Sequence, residues 1–246
     1  MTTVAVSLKM YFGHWRAQAY CTALATLAAR QPDVVSGASE LVVLPTYLAI
    51  PAALTAAGPT RLRVGAQDLA VEDVGAFTGE VSGAELAEIG VTHVEVGHAE
   101  RRRLFGETPE VVAAKTAAAL RNDLVPLLCV GEPSRGAPAA AAQVVVDQVT
   151  SAIPDSTGKR VLVAYEPVWA IGAAEPAPAS YIASVCDEVR GTLGERLGDF
   201  GILYGGSAGP GLVGALGSSV DGLFLGRFAH EVSAVATVLD ELAAIR

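Results

Sequence analysis

Lysine is scarce in this chain of 246 residues, occurring only as Lys9, Lys115 and Lys159. With a formal net charge of -9, no basic tract is left that could neutralise a phosphate backbone, which argues against a nucleic-acid partner. The same acidity repels anions at long range, so any phosphate site must be built locally from a few cations and backbone N–H groups. Cysteine is sparse too. Cys21, Cys129 and Cys186 are odd in number and irregularly spaced, which suits neither a disulfide framework nor a structural zinc site and predicts reduced thiols in a cytoplasmic protein. Residues 41–60 carry no charge, yet Pro45, Pro51 and Pro59 interrupt them, so no spanning helix and no membrane partner is expected. Residues 1–10 lack the cationic start and long apolar stretch of a secretory signal.

A hydrophobic content of 51% over this length is enough for one large core, and one domain over residues 1–246 is the expectation. Short runs rich in Val, Ile and Leu recur at residues 4–8, 41–44, 62–65, 93–96, 124–129, 161–164, 202–204 and 223–225. Several are almost wholly apolar, as parallel strands buried on both faces are. Helical patterns occupy residues 15–30, 109–121, 139–151, 180–197 and 230–245. Pro109 after Thr108, followed by Glu110, has the chemistry of a helix start. Eight strand–helix units fit either a closed barrel or a doubly wound open sheet, and periodicity alone does not separate the two. Glycines follow the sixth, seventh and eighth strands, at Gly172, Gly205-Gly206 and Gly226. Those loops have close backbone approaches to make, and in a barrel that end is where phosphate binds.

Candidate chemistry collects at strand ends. Lys9 follows the first strand; taken alone it reads first as a solvated strand-end lysine. His98 and Glu100 follow the fourth strand in a run that continues Arg101-Arg102-Arg103. At a helix start the dipole lowers an imidazole pKa and keeps the ring neutral, while at least one of three consecutive arginines should face solvent. Glu166 ends the sixth strand and is followed by Pro167-Val168-Trp169-Ala170-Ile171-Gly172. A rigid proline, an aromatic pivot and an apolar tip are the parts of a lid that excludes water from the acid beneath it. Tyr204-Gly205-Gly206-Ser207 and Leu225-Gly226-Arg227 can each form an anion-binding nest of N–H groups.

With Gly65-Ala66-Gln67, residues 75–81, residues 97–102, Cys129-Val130-Gly131-Glu132 and residues 164–172 added, the chain resembles the triosephosphate isomerase family along essentially its whole length. The resemblance implies an α/β, single-domain (β/α)8 barrel. It assigns Lys9, His98 and Glu166 as the matching catalytic positions and Glu100 as a supporting one. Glu166 would take a proton from the carbon beside a carbonyl, and neutral His98 would donate to the carbonyl oxygen as it gains charge. N–H groups of Gly172, Ser207 and Gly226, with Gly205 and Gly206 beside them, would cradle phosphate; no metal or cofactor is required. The loop at residues 75–82 matches the family's dimer loop, with Thr78 approaching the neighbouring subunit's site, which implies a homodimer.

Four departures cluster at this site. Ser7 stands where the family has asparagine, and the only asparagine in the chain is Asn122. Ala99 replaces a serine, residues 172–176 form an altered lid tip, and Arg227 replaces a glycine of the last phosphate loop, bringing bulk and permanent charge. The expected reaction is the interconversion of dihydroxyacetone phosphate and glyceraldehyde 3-phosphate. The alternative is a four-carbon ketose phosphate such as L-erythrulose 1-phosphate: Ser7 would leave room for a further hydroxymethyl group and Arg227 would hold a displaced phosphate. A non-catalytic sugar-phosphate-binding barrel is the third reading, disfavoured by the intact Lys9, His98 and Glu166.

Overall fold

The computed structural model describes residues 1–153 and 158–245. Eight strands, β1 (Thr2–Ser7), β2 (Ser39–Leu44), β3 (Arg63–Ala66), β4 (His93–Val96), β5 (Val125–Val130), β6 (Val161–Tyr165), β7 (Phe200–Tyr204) and β8 (Gly222–Leu225), close into one parallel barrel in chain order. The closing pair is β1 and β8, with Val4 beside Leu223 and Val6 beside Leu225. Barrel, not open sheet, is therefore the architecture. Around it run α1 (His14–Ala28), α2 (Pro32–Ser36), α3 (Ile50–Ala57), α4 (Gly83–Glu88), α5 (Ala99–Phe105), α6 (Pro109–Arg121), α7 (Pro138–Ala152), α8 (Ala179–Leu197), α9 (Leu212–Leu216) and α10 (Val232–Ala244).

The five helices legible as periodic patterns lie within two residues of their expected bounds, and Thr108 caps α6 by accepting from Val111 N. Four of the others, α2, α4, α5 and α9, are too short to display a helical period, and α3 lies within the uncharged stretch of residues 41–60. The last pattern begins later than residue 230, because Arg227–His230 forms a separate 3-10 turn.

Side-chain alternation along each strand divides the core in two. Val4 and Val6, Val94 and Val96, and Val163 and Tyr165 point outward into the layer beneath the helices. Their neighbours Ala5, Val42, Leu44, Leu127, Cys129, Leu162, Ala164, Leu203 and Phe224 fill the barrel interior. Gly65 belongs to this packing: a Cβ there would sit 3.0 Å from Leu44 Cγ and 3.1 Å from His93 O.

The floor of the barrel is polar. Glu40 Oε2 accepts from Arg160 Nη1 at 2.9 Å and lies 3.5 Å from His93 Nε2, while Arg160 Nη2 donates to Thr3 Oγ1 at 3.1 Å. Burial pushes the Glu40 acid up, but the His93 and Arg160 contacts outweigh it and hold the pKa at about 2, against an ordinary 4.5. A carboxyl depressed on folding stabilises the fold above its unfolded pKa, and this contribution disappears as pH falls through the folded value. Glu40→Gln should therefore lose about 3 kcal/mol of stability at pH 6. Urea denaturation at pH 6 and pH 3 checks this, the difference from the parent protein narrowing at the lower pH.

Candidate active site

The same alternation that fills the interior carries functional side chains into the barrel mouth at the C-terminal strand ends. In β6, Leu162 and Ala164 point inward, so Glu166 does as well. In β1 the inward series Thr3, Ala5, Ser7 leads to Lys9, and in β4 His93 and Glu95 point inward below His98. Ser7, Lys9, Glu100, Glu166, Gly172, Gly205, Ser207, Gly226 and Arg227 all line one cavity of about 680 Å³. This is the size of a small-molecule site.

Glu166 and His98 face each other across its wall, with Glu166 Oε2 3.5 Å from His98 Nε2. Both atoms are buried without a hydrogen-bond partner, an arrangement normally completed by a ligand. Burial pushes the Glu166 pKa up to about 8, the nearby Glu95 adds to the rise, and Lys9 opposes it. A carboxylate at such a place is a strong base. His98 caps α5, its Nδ1 accepting the Glu100 N–H at 3.1 Å. That bond leaves the ring proton on Nε2, pointing at Glu166. Burial chiefly, then the Lys9 charge, pulls the His98 pKa down to about 4, so the ring is a neutral donor. Sequence reasoning expected neutrality from the helix dipole; burial is the larger cause.

Lys9 sits in the left-handed region at φ 45°, which is strained for a residue with a side chain. Gln67 holds it there by donating Nε2 to Lys9 O at 3.1 Å and to Leu44 O at 2.8 Å. The ammonium donates to Glu100 Oε1 at 2.7 Å. Burial lowers the lysine pKa, but this ion pair more than reverses it, so Lys9 stays charged. Of the three arginines, Arg101 pairs with Asp68 and Glu107, Arg102 donates to Gly97 O and Cys129 O, and Arg103 is exposed at the cavity.

The lid is tied down at several points. Trp169 Nε1 donates to Glu132 Oε1 at 2.7 Å, and the hydroxyls of Tyr165 and Tyr181 converge on the same carboxylate. Ala177 N donates to Tyr204 Oη, and Ser207 Oγ lies 2.9 Å from Ala170 O and 3.0 Å from Ala173 O. Arg227 reaches from the last loop to the tip, Nη2 donating to Gly172 O at 3.2 Å. The Gly172, Ser207 and Gly226 N–H groups have no acceptor among the described residues and remain available to an anion.

Two glycines of the seventh strand's loop are also required by close neighbours. A Cβ on Gly205 would lie 2.7 Å from Glu166 Cγ and Oε1, and one on Gly206 would lie 2.6 Å from Tyr204 Oη. Their bareness makes room for the carboxylate and the lid anchor. Behind Glu166, a recess of about 30 Å³ opens beside Ala99 and Cys129, where no hydroxyl comes from residue 99. Thr78 lies exposed on the β3–α4 connection and is not among the residues that line this cavity. Among the described residues, no three His, Cys, Asp or Glu side chains group as metal ligands.

A sequence model of triosephosphate isomerase matches residues 2–242. The chain belongs to the triosephosphate isomerase family. A crystal structure of triosephosphate isomerase from Bartonella henselae superposes with a TM-score of 0.81 at 26% identity, covering 98% of this chain and 99% of that one. An L-erythrulose-1-phosphate isomerase from Pectobacterium atrosepticum is 48% identical over 97% of this chain and 95% of its own length. A triosephosphate isomerase from Moorella thermoacetica is 40% identical over 85% of this chain and 88% of its own. The protein is thus an isomerase of this family, whose members interconvert sugar phosphates.

Glu95 was not singled out in the sequence, although an acid in the middle of the apolar strand His93-Val94-Glu95-Val96 is a signal. Gln67 and Glu132 stood in family motifs without a role, because only the folded chain brings them to Lys9 and Trp169. Alanine at residue 205 should displace the Glu166 carboxylate and lower kcat/KM by about tenfold or more. Steady-state kinetics, with circular dichroism confirming an intact fold, measures it.

Proposed function

We propose that the protein moves a carbonyl between adjacent carbons of a four-carbon ketose phosphate, with L-erythrulose 1-phosphate as substrate. The observation that carries this reading is the short lining at Ser7 and Ala99 of the cavity that Glu166 also lines, while the buried Glu166 carboxylate, 3.5 Å from His98 Nε2, supplies the proton chemistry for either substrate. Glu166 takes the proton from C3, and His98 stabilises the oxygen on C2 as charge builds there. Lys9, held by Glu100, stabilises the enediolate. Return of the proton to C2, with the hydroxyl proton of O3 passing to O2, leaves the carbonyl on C3, so the product is erythrulose 4-phosphate. The N–H groups of Gly172, Ser207 and Gly226 hold the phosphate, with Arg227 beside them. The 48% identity to an L-erythrulose-1-phosphate isomerase supports this substrate.

Dihydroxyacetone phosphate is the second reading, favoured by the Lys9, His98 and Glu166 constellation itself and by the triosephosphate isomerases among the relatives. With it, the same proton shift yields an aldehyde. Turnover of both substrates by the parent protein and by Glu166→Asp decides between the readings. The four-carbon compound should be preferred by at least about tenfold in kcat/KM. Glu166→Asp should lose about a hundredfold on either, equivalent to roughly 2.7 kcal/mol. A preference for the triose would overturn the assignment of substrate, and undiminished turnover by Glu166→Asp would remove that residue from the mechanism.

We also propose a cytoplasmic homodimer. Met10, Leu48, Val74 and Phe77 are exposed on the loops after β1, β2 and β3, which are neighbours in the barrel, and Val74 is 90% accessible. Apolar groups on adjoining loops favour a covered surface, with Thr78 directed to the other subunit's site. The three unbridged, buried cysteines suit a reducing compartment, and no described helix is long and apolar enough to cross a membrane. Light scattering coupled to size exclusion should return the mass of two chains; a monomer would contradict it.

A further inference from the structure

Glu95 is a buried carboxylate that carries no proton in the shift, although its charge adds to the rise of the Glu166 pKa. It is 4% exposed and shares the barrel interior with Ala5, Leu127, Cys129 and Ala164. Its hydrogen bond comes from Ser7 Oγ at 2.9 Å, bridging β1 and β4 below Lys9. One neutral donor is a poor match for the desolvation of a carboxylate, and burial accordingly pushes its pKa up to about 7. Barrel packing has no need of such a group, since a hydrocarbon of similar volume would fill the layer.

The bond fixes the polarity of Ser7. With its proton committed to Glu95, the serine turns only lone pairs toward the cavity it lines. An acceptor there suits an alcohol, which donates. It does not suit a carbonyl or phosphate oxygen, which can only accept. Ser7 lines the same cavity as Glu166 and the loop residues Gly172, Ser207 and Gly226, so it is within the space that a substrate held at those points occupies. On dihydroxyacetone phosphate the end away from the phosphate stops at the hydroxyl of the reacting carbon. On L-erythrulose 1-phosphate it continues into a hydroxymethyl group.

We propose that Ser7 and Glu95 form a subsite for the terminal hydroxymethyl group of a four-carbon ketose phosphate, Ser7 accepting its O–H and Glu95 orienting Ser7. Glu95 is thus a positioning residue acting through Ser7. This assignment deepens the four-carbon reading above and rests on it.

The test compares kcat/KM on L-erythrulose 1-phosphate and on dihydroxyacetone phosphate for the parent protein, Ser7→Ala and Glu95→Leu. Each variant should lower the four-carbon to three-carbon ratio by about tenfold or more, the loss of one well-aligned hydrogen bond. Glu95→Leu should melt no lower than the parent, because an apolar side chain suits that layer. An unchanged ratio, with both substrates affected alike, overturns the subsite while leaving the four-carbon activity standing. A parent protein inert on L-erythrulose 1-phosphate overturns both. If Glu95→Leu does not fold, the ratio for Ser7→Ala alone decides the outcome.

Discussion

Closure of the barrel is the constraint on which every other feature depends. Eight parallel strands in chain order leave no free edge, and their two-residue alternation then allows each inward side chain only the interior or the mouth. Ser7, Lys9, Glu166 and Gly205 come from strands or strand ends distant in sequence, yet closure sets them around one cavity, with His98 against Glu166. The outward set, Val4 and Val6 or Val163 and Tyr165, packs in the layer that joins the barrel to its helices.

Burial does most of the electrostatic work there. It raises the Glu166 acid, lowers the His98 ring, and leaves their facing atoms without partners. Opposite shifts on adjacent groups turn an ordinarily weak carboxylate base into a stronger one and keep the imidazole a neutral donor. Lys9 escapes neutralisation because Glu100 pairs with it directly. The polar floor of Glu40, His93 and Arg160 obeys the same rule with a different result: its charges are paired, so Glu40 is held ionised.

The lid shows how aromatic residues divide labour with a carboxylate. Glu132 gathers Trp169, Tyr165 and Tyr181, which fixes the start of the lid, while Tyr204 and Ser207 hold its later part. Glycine at residue 206 is the space that Tyr204 requires, and glycine at residue 205 the space that the Glu166 side chain requires. Arg227 joins the tip to the last loop and brings a permanent charge to the cavity lining.

Much of this was legible in the chain alone. The strand and helix alternation, the catalytic-position residues Lys9, His98 and Glu166, and the glycine loops all lie in short local motifs whose chemistry depends on type and order. Periodicity did not separate barrel from open sheet, because both give each strand the same apolar content; the motif resemblance implied the barrel, and the β1–β8 pairing shows it. Glu95 was not legible, since a lone acid in a strand is read by where its side chain points. Contacts between strands distant in sequence, such as Ser7 with Glu95 or Gln67 with Lys9, arise from register and closure. The sequence by itself therefore determined which groups are present, and the tertiary structure decided which of them meet, because hydrogen bonds and desolvation act through distances that the folded barrel sets.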